Sequence, residues 1–512
     1  MTNVRLMCRV CSFYRALTVW TGRVTINILP DNVLLRIFLI DGYQHNSHMQ
    51  SYFGMEHDRD RVRRLPWRWH RLVHVCSRWR SIIFASPEFL DLRLVCGPGT
   101  PMQLTSIWPP FPIIITNHPY HAMSEHHDFD AAIVHPDRVR EIRLFGLMRL
   151  TLQGLASATR MQEQFPALIH LSLTCADHSD VALPDGFLGV SAPRLQSLVL
   201  DSIPFPALPK LLMSTTHLVH LILYGISHSG YFPPKAIVTP LAVMPNLKSL
   251  IIVFSSPLSR PENRRQPPPI RTVLPALTRF VFTGSSEYLE DFVSRIDTPL
   301  LDSVYITFFH QLISDIPRLV QSMGRSTRFQ ELKETHLGFD KFVVHVETHP
   351  PRWFPSKKTV LGISSNAFVW QLSSLEQVIT SCFPPIYTVE HLYIYNPPSK
   401  RGRLVDMENS IQWLEFFQPF TAVMNLYLSK KFAPSIAAAL QELVGGRTTE
   451  VLPILQNIYL EQLQPSEPIE EGIQKFVAAR QLSSQPITVS RWQRDLDSDL
   501  DSKSRTVSKL GD

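Results

Sequence analysis

Pro166-Ala167-Leu168-Ile169-His170-Leu171-Ser172-Leu173 sets a template, P-x-L-x-x-L-x-L, that recurs down the chain. It returns as Pro193-Leu195-Leu198-Leu200, Pro245-Leu247-Leu250-Ile252, Pro275-Leu277-Phe280-Phe282, Pro299-Leu301-Val304-Ile306 and Pro453-Leu455-Ile458-Leu460. Copies without the proline stand at Val139-Ile142-Leu144, Leu218-Leu221-Leu223, Val389-Leu392-Ile394 and Val423-Leu426-Leu428. Self-similarity at this period is the mark of a solenoid, and L-x-x-L-x-L is the core of a leucine-rich repeat. Each unit buries its apolar face only by stacking on a neighbour, which leaves a long one-sided surface. The expectation is therefore a binding protein rather than an enzyme.

The penultimate apolar position of each copy serves as an anchor. Ile142, Leu171, Leu198, Leu221, Leu250, Phe280 and Val304 are spaced by 29, 27, 23, 29, 30 and 24 residues. Leu392, Leu426 and Ile458 follow at 34 and 32. The 88 residues between Val304 and Leu392 have room for three units. Degraded copies at Leu332-Thr335-Leu337 and Val360-Ile363-Ser365 divide that gap.

Composition narrows the class. Of 512 residues, 44% are hydrophobic, as in globular chains, and no apolar run reaches the ~18 residues a membrane span needs. Six scattered cysteines argue against a disulfide scaffold and for a reducing compartment, cytoplasmic and/or nuclear. Cys8-x-x-Cys11 has no second pair at ligand spacing, and His118, His121, His126, His127 and His135 fall in a proline-punctuated stretch, so neither sets up a metal site. No nucleotide, hydrolase or zinc-protease motif is present, and no cofactor is expected. Residues 1–100 carry 14 Arg, no Lys and 7 acids, whereas the rest is near neutral. Arginine without interleaved aromatics is a weak nucleic-acid signal. The arginines of residues 1–24 have a presequence-like composition, and a poorly ordered extension is the plainer reading.

Ahead of the repeats, residues 25–95 read as a small helical module. Leu29-Pro30-Asp31 begins a helix, with proline in the first turn and an aspartate complementing the dipole. Val33, Leu34, Ile37 and Phe38 then form an apolar face, and Trp69, Leu72, Val73, Cys76, Trp79, Ile82 and Ile83 define a second helix. Residues 89–94 alternate like a strand.

The strings Leu29-Pro30-x-x-Val33-Leu34-x-x-Ile37-Phe38, Leu72-Val73-x-Val75-Cys76-x-x-Trp79-Arg80 and Pro87-x-x-Leu90 resemble the F-box motif over about 70 residues. The pattern departs from it by an insertion at 41–66, rich in His and Arg, which resembles the expanded F-box families of mushroom-forming fungi. So do Arg93-Leu94-Val95-Cys96, Glu390-His391-Leu392-Tyr393-Ile394-Tyr395, Trp413-Leu414-Glu415, Phe420-Thr421-Ala422-Val423 and Phe476-Val477-Ala478-Ala479-Arg480-Gln481-Leu482. The resemblance implies a substrate-recognition subunit of an SCF-type cullin–RING ubiquitin ligase, with no chemistry of its own. The F-box would dock the adaptor subunit through Leu29, Pro30, Val33, Leu34, Ile37 and Phe38, supported by Cys76 and Trp79. Those eight residues also have a plainer use as the module's own core. The alternative function is a leucine-rich-repeat interaction module outside any ligase.

The expected organisation is an α/β chain: an extension (1–24), a helical F-box module (25–95), a connector (96–136), an irregular leucine-rich-repeat arc with a parallel concave sheet (137–490), and a disordered tail (491–512). Because strand side chains alternate, the residue inside each L-x-L faces outward. That position reads Arg143, Ser172, Val199, Ile222, Ile251, Val281, Tyr305, Tyr393, Tyr427 and Tyr459. From Val199 to Tyr459 it forms an apolar-to-aromatic stripe for a protein substrate, although β-propensity alone selects the same residue types. The proline- and arginine-rich stretch 259–270 reads as a loop between repeats or a polyproline ligand.

Overall fold

The structure is a computed structural model. It describes residues 28–44, 72–87, 89–90, 92–96, 110–117, 133, 135–177, 181–256, 271–309, 316–325, 334–339, 343–349, 359–364, 386–395, 410–444, 447–461 and 471–492. The extension at 1–24, the Cys8-x-x-Cys11 pair, most of the 41–66 insertion, the 259–270 stretch and the tail beyond Trp492 lie outside these residues.

Each template copy becomes a strand entered from a turn. In the turn, proline sets the backbone and the next leucine plugs the core, as Leu168, Leu195 and Leu277 do. Strands β1 (Leu94–Cys96), β2 (Ile113–Thr116), β3 (Val139–Leu147), β4 (His170–Cys175), β5 (Ser197–Asp201), β6 (His220–Ile226) and β7 (Ser249–Phe254) lie side by side and parallel. A two-residue strand β8 (Thr272–Val273) pairs separately with β10 (Ile296–Asp297). The main sheet continues through β9 (Arg279–Gly284) and β11 (Ser303–Phe309). Beyond come β12 (Glu334–Phe339), β13 (Val343–His349), β14 (Thr359–Ser364), β15 (His391–Tyr395), β16 (Asn425–Leu428), β17 (Asn457–Glu461) and β18 (Thr488–Trp492), completing a 16-stranded sheet.

The anchors are laterally matched. Ile142, Leu171, Leu198, Leu221, Leu250, Phe280 and Val304 are successive Cα partners, as are Leu392, Leu426 and Ile458. At the strand starts one carbonyl serves two amides of the next repeat. Gln196 and Ser197 both donate to Ile169 O, and Lys248 and Ser249 to Val219 O. The same arrangement recurs where Gln456 and Asn457 donate to Met424 O. Bulges in β3 and β6 accommodate one residue more than their neighbours, and each holds a glycine at positive φ, Gly146 (61°) and Gly225 (61°).

Helices α1 (Asp31–Gln44) and α2 (Ser77–Phe84) form the front module. On the outside of the solenoid run α3 (Arg149–Ser157), α4 (Leu208–Leu212), α5 (Pro234–Leu241), α6 (Ser286–Arg295), α7 (Pro317–Arg325), α8 (Ser410–Phe417), α9 (Ala433–Glu442) and α10 (Glu471–Leu482). In α6, Ser285 caps the start by accepting from Tyr288 N, and Arg295 in the last turn pairs with Asp291 at 2.8 Å. Glu290 then reaches the next helix, accepting from Arg318 N and Leu319 N at 3.0 and 2.9 Å, so one repeat caps the helix of its neighbour.

Several expectations change. The connector at 96–136 contains β2, and β1 starts at Leu94, so the sheet begins some 40 residues earlier than the leucine template marks. Ile113, Ile114 and Ile115 form that strand without any L-x-x-L-x-L spacing. The last described strand, β18, runs to Trp492, past the expected boundary at residue 490. Between β11 and β15 the sheet is not a plain parallel run: the order is β11-β14-β13-β12-β15, with β13 antiparallel to both neighbours. The copy ending at Leu337 has the expected register, Thr335 facing Leu392. The other is four residues out, because Thr359, not Ile363, faces Val304. The Val343–His349 strand carries β-branched residues but no leucine template.

The second front helix is also not continuous. Cys76, at φ −159°, is the N-cap of α2, its sulfur accepting from Trp79 N at 3.5 Å. Phe84 meets Phe111 at 5.6 Å, and Leu34, Phe38, Val73, Ile82 and Ile83 join the same hydrophobic cluster as the solenoid interior. The module therefore covers the first strands, as terminal caps do in repeat proteins.

At the other end α10 lies against α9 so closely that a Cβ on Gly472 would sit 2.3 Å from Ala437 O. Gly472→Ala gains at most about 1 kcal/mol of helix propensity. The overlap with a backbone oxygen costs about 1–3 kcal/mol. The expected net effect is a lowered urea midpoint for the C-terminal repeats, and an unchanged or raised midpoint would contradict this packing.

Candidate functional site

Two surfaces carry the residues singled out above. On the front module, α1 is apolar on two sides. Leu34 and Phe38, one turn apart, face the interior, and Phe38 lies 4.7 Å from Trp79. Val33 (37% exposed), Ile37 (37%) and Ile40 (49%) follow at i, i+4 and i+7 on the outer side. Pro30 is exposed and Leu29 half-buried at the start of the same helix. Ile28 and Val75 are exposed apolar residues as well. The eight expected adaptor residues thus divide: Leu34 and Phe38 are core, Cys76 caps, Leu29 and Trp79 are half-buried, and Pro30, Val33 and Ile37 face out.

Arg78 holds the module together. Its guanidinium meets Asp31 at 2.6 Å and donates to Leu29 O at 2.7 Å, while Arg80 Nε donates to Val73 O at 3.0 Å. Two of the front-end arginines are therefore engaged within the module.

On the sheet, the middle outward position forms one unbroken lateral row. It runs Thr116, Arg143, Ser172, Val199, Ile222, Ile251, Val281, Tyr305, Val360, Glu347, His336, Tyr393, Tyr427, Tyr459, Ser490. All eight stripe residues expected from sequence fall in it. They are not equally open: Val199, Ile251 and Tyr393 are buried, whereas Ile222, Val281, Tyr305, Tyr427 and Tyr459 are half-buried. The row starts in a polar cluster, where Glu141 pairs with both Arg93 and Arg143.

Toward the C-terminal end the row becomes an aromatic ladder. His336 and Tyr393 stack at 4.1 Å, Tyr393 and Tyr427 at 4.0 Å, and Tyr427 and Tyr459 at 4.4 Å, all within 9° of parallel. Identical register on adjacent strands forces this stacking, since neighbouring strands are about 4.8 Å apart. Beside the ladder runs a polar one: Asn457 Nδ2 donates to Asn425 Oδ1 at 2.8 Å, and Thr488 bonds Asn457. Tyr305 stands apart, with Arg279 5.5 Å from its ring centre. The stripe read from the sequence left out His336, which lies in the degraded Leu332-Thr335-Leu337 copy, and Trp492, whose strand carries no leucine template.

The fully buried Arg480 of α10 donates to Leu452 O, to Pro453 O at 3.1 Å and to Gln485 Oε1. Burial lowers its pKa from the ordinary arginine value. It ties α10 to the turn ahead of β17 and is a structural cation. Among the described residues no His, Cys, Asp or Glu group is placed to hold a metal, and no helix is long and apolar enough to cross a membrane.

No protein-family model and no curated protein matches the chain. Among solved structures, the leucine-rich repeat-containing protein LegL7 from Legionella pneumophila aligns with 77% of this chain and 98% of its own, at 11% identity and a TM-score of 0.28. So loose a likeness carries no argument. The solenoid of leucine-rich-repeat type rests on the anchor register itself.

Tyr427→Leu removes the two close stacks on Tyr393 and Tyr459, together with the looser contacts to His391 and Trp492, and is expected to cost at least about 1–3 kcal/mol beyond lost area. Tyr305→Leu removes a cation–π contact, about 0.5–1 kcal/mol. Urea unfolding of both variants checks the order, and equal losses would show that the ladder adds nothing to packing.

Proposed function

We propose that the chain is the substrate-recognition subunit of an SCF-type cullin–RING ubiquitin ligase. The outer face of α1 docks the adaptor, and the concave row holds a protein substrate. The observation that carries the reading is the second apolar face of α1. Leu34 and Phe38 already satisfy the module's core, yet Val33, Ile37 and Ile40 form another apolar stripe on the outside. These residues lie roughly 100° round the helix from the core-facing pair, which makes the apolar arc wider than packing the module requires. Together with Pro30 and Ile28 at the helix start, the outer stripe matches the position where the F-box resemblance places adaptor contacts.

The chain itself is proposed to be non-catalytic, needing no cofactor and acting in the cytoplasm and/or nucleus. Its contribution is proximity: it fixes a substrate near the charged ubiquitin carrier. Nucleic acid is not a proposed partner. A second reading, an interaction module outside any ligase, draws on the inward use of Leu34, Phe38 and Trp79, which leaves fewer of the expected contacts available.

Purified adaptor subunit and the full chain decide between the two. Wild type is expected to bind, and Ile37→Asp to weaken binding at least tenfold without lowering the melting temperature. A Leu29→Ala, Pro30→Ala double variant is expected to act in the same direction. Leu34→Ala is expected to act differently, costing about 2–5 kcal/mol of stability in the module. No capture of folded wild type would remove the ligase reading and leave the second.

A further inference from the structure

Trp492 closes the last strand, and its side chain does not stay on its own row. Its Cα partner is Glu461 of β17, whereas the ladder tyrosines share the row of Ser490. The indole nevertheless lies 5.5 Å from the ring of Tyr427 at 69°, and 5.7 Å from that of Tyr393 at 60°. It reaches across β17 to strands two and three places away. Trp492 is half-buried by this placement, and Tyr393, covered by it and by its stacked neighbours, is only 5% exposed.

The ladder's geometry explains what it can receive. Its rings stack face to face, so their faces are occupied by one another and their edges are what a further ring can meet. Aromatic edges are electropositive and faces electronegative, so a further ring set across a row of edges gains an attraction that an aliphatic group lacks. Trp492 adopts that tilted arrangement with two ladder tyrosines at once. The Asn425–Asn457–Thr488 ladder alongside supplies hydrogen-bonding groups for a backbone laid next to the ring.

We propose that the Tyr393–Tyr427 edge is a receptor site for an aromatic side chain presented on an extended peptide, and that Trp492 occupies it in cis. The chain's own β18 is the stand-in for the ligand: an extended strand delivering one ring. A partner peptide carrying tryptophan, tyrosine or phenylalanine displaces Trp492 to bind, so Trp492 sets a threshold for recognition. The proposal rests on the concave face being the substrate side. It is tested without adaptor, so its failure leaves the docking of α1 unaffected.

The probe is N-acetyl-tryptophanamide, followed by saturation-transfer NMR on the full chain, with circular dichroism confirming that each variant is folded. Trp492→Ala is expected to bind the probe at least tenfold more tightly than wild type. Adding Tyr427→Leu to Trp492→Ala is expected to return binding to the wild-type level. Trp492→Leu, which keeps apolar cover but no ring, provides the same comparison if the alanine variant does not fold. Equal binding by wild type and the Trp492 variants, no binding by either, or binding that survives loss of Tyr427 would each overturn the proposal.

Discussion

Lateral register of the inward-facing anchors is the constraint on which the rest of the structure depends. A strand that slipped by one residue would exchange its core face for its solvent face. Leu171, Leu198, Leu221 and Leu250 are all fully buried and directly matched across strands, so none can slip without expelling a neighbour's contacts. The outward row inherits the same register with no separate device. Tyr393, Tyr427 and Tyr459 stack because the leucines and isoleucines on either side of them are held in line.

The same constraint makes the two ends of the arc expensive to leave open, since a terminal repeat has a neighbour on only one side. The front module closes one end through the Phe84–Phe111 contact and a continuous core. At the other end α10, pressed on α9 at Gly472 and tied down by Arg480, closes the helical layer. Among the described residues β18 is the edge strand, mostly polar and carrying Arg491, which discourages further edge pairing. Packing the module directly on the first strands also joins the outer face of α1 to the concave row without a linker.

The parts of the fold legible in the sequence were those where the leucine template determines packing. Ten template copies became strands in the register their anchors implied, and the outward stripe followed from alternation alone. Ile113–Thr116 and Val343–His349 were not legible as sheet members, because β-branched runs satisfy a strand without the template. The reversed order of β12 to β14 could not be read from spacing, which counts units but not their neighbours. Cys76 illustrates a different limit: its spacing from Val73 and Trp79 fits a helical face, yet its backbone is extended and its thiol caps the helix that follows. For the candidate site, periodicity showed that α1 was apolar but not that it had two apolar faces. Trp492 was hidden because its partners are two and three strands away.

In the proposed arrangement α1 presents its outer face to an adaptor while the concave row remains available to a substrate. Hydrogen–deuterium exchange of the full chain, with and without purified adaptor subunit, separates the two surfaces. Slowed exchange is expected only at residues 28–44 and the adjoining 72–87, with the peptides spanning β15 to β17 unchanged. Protection of the concave strands by the adaptor, or no protection of α1 at saturating adaptor, would contradict that arrangement.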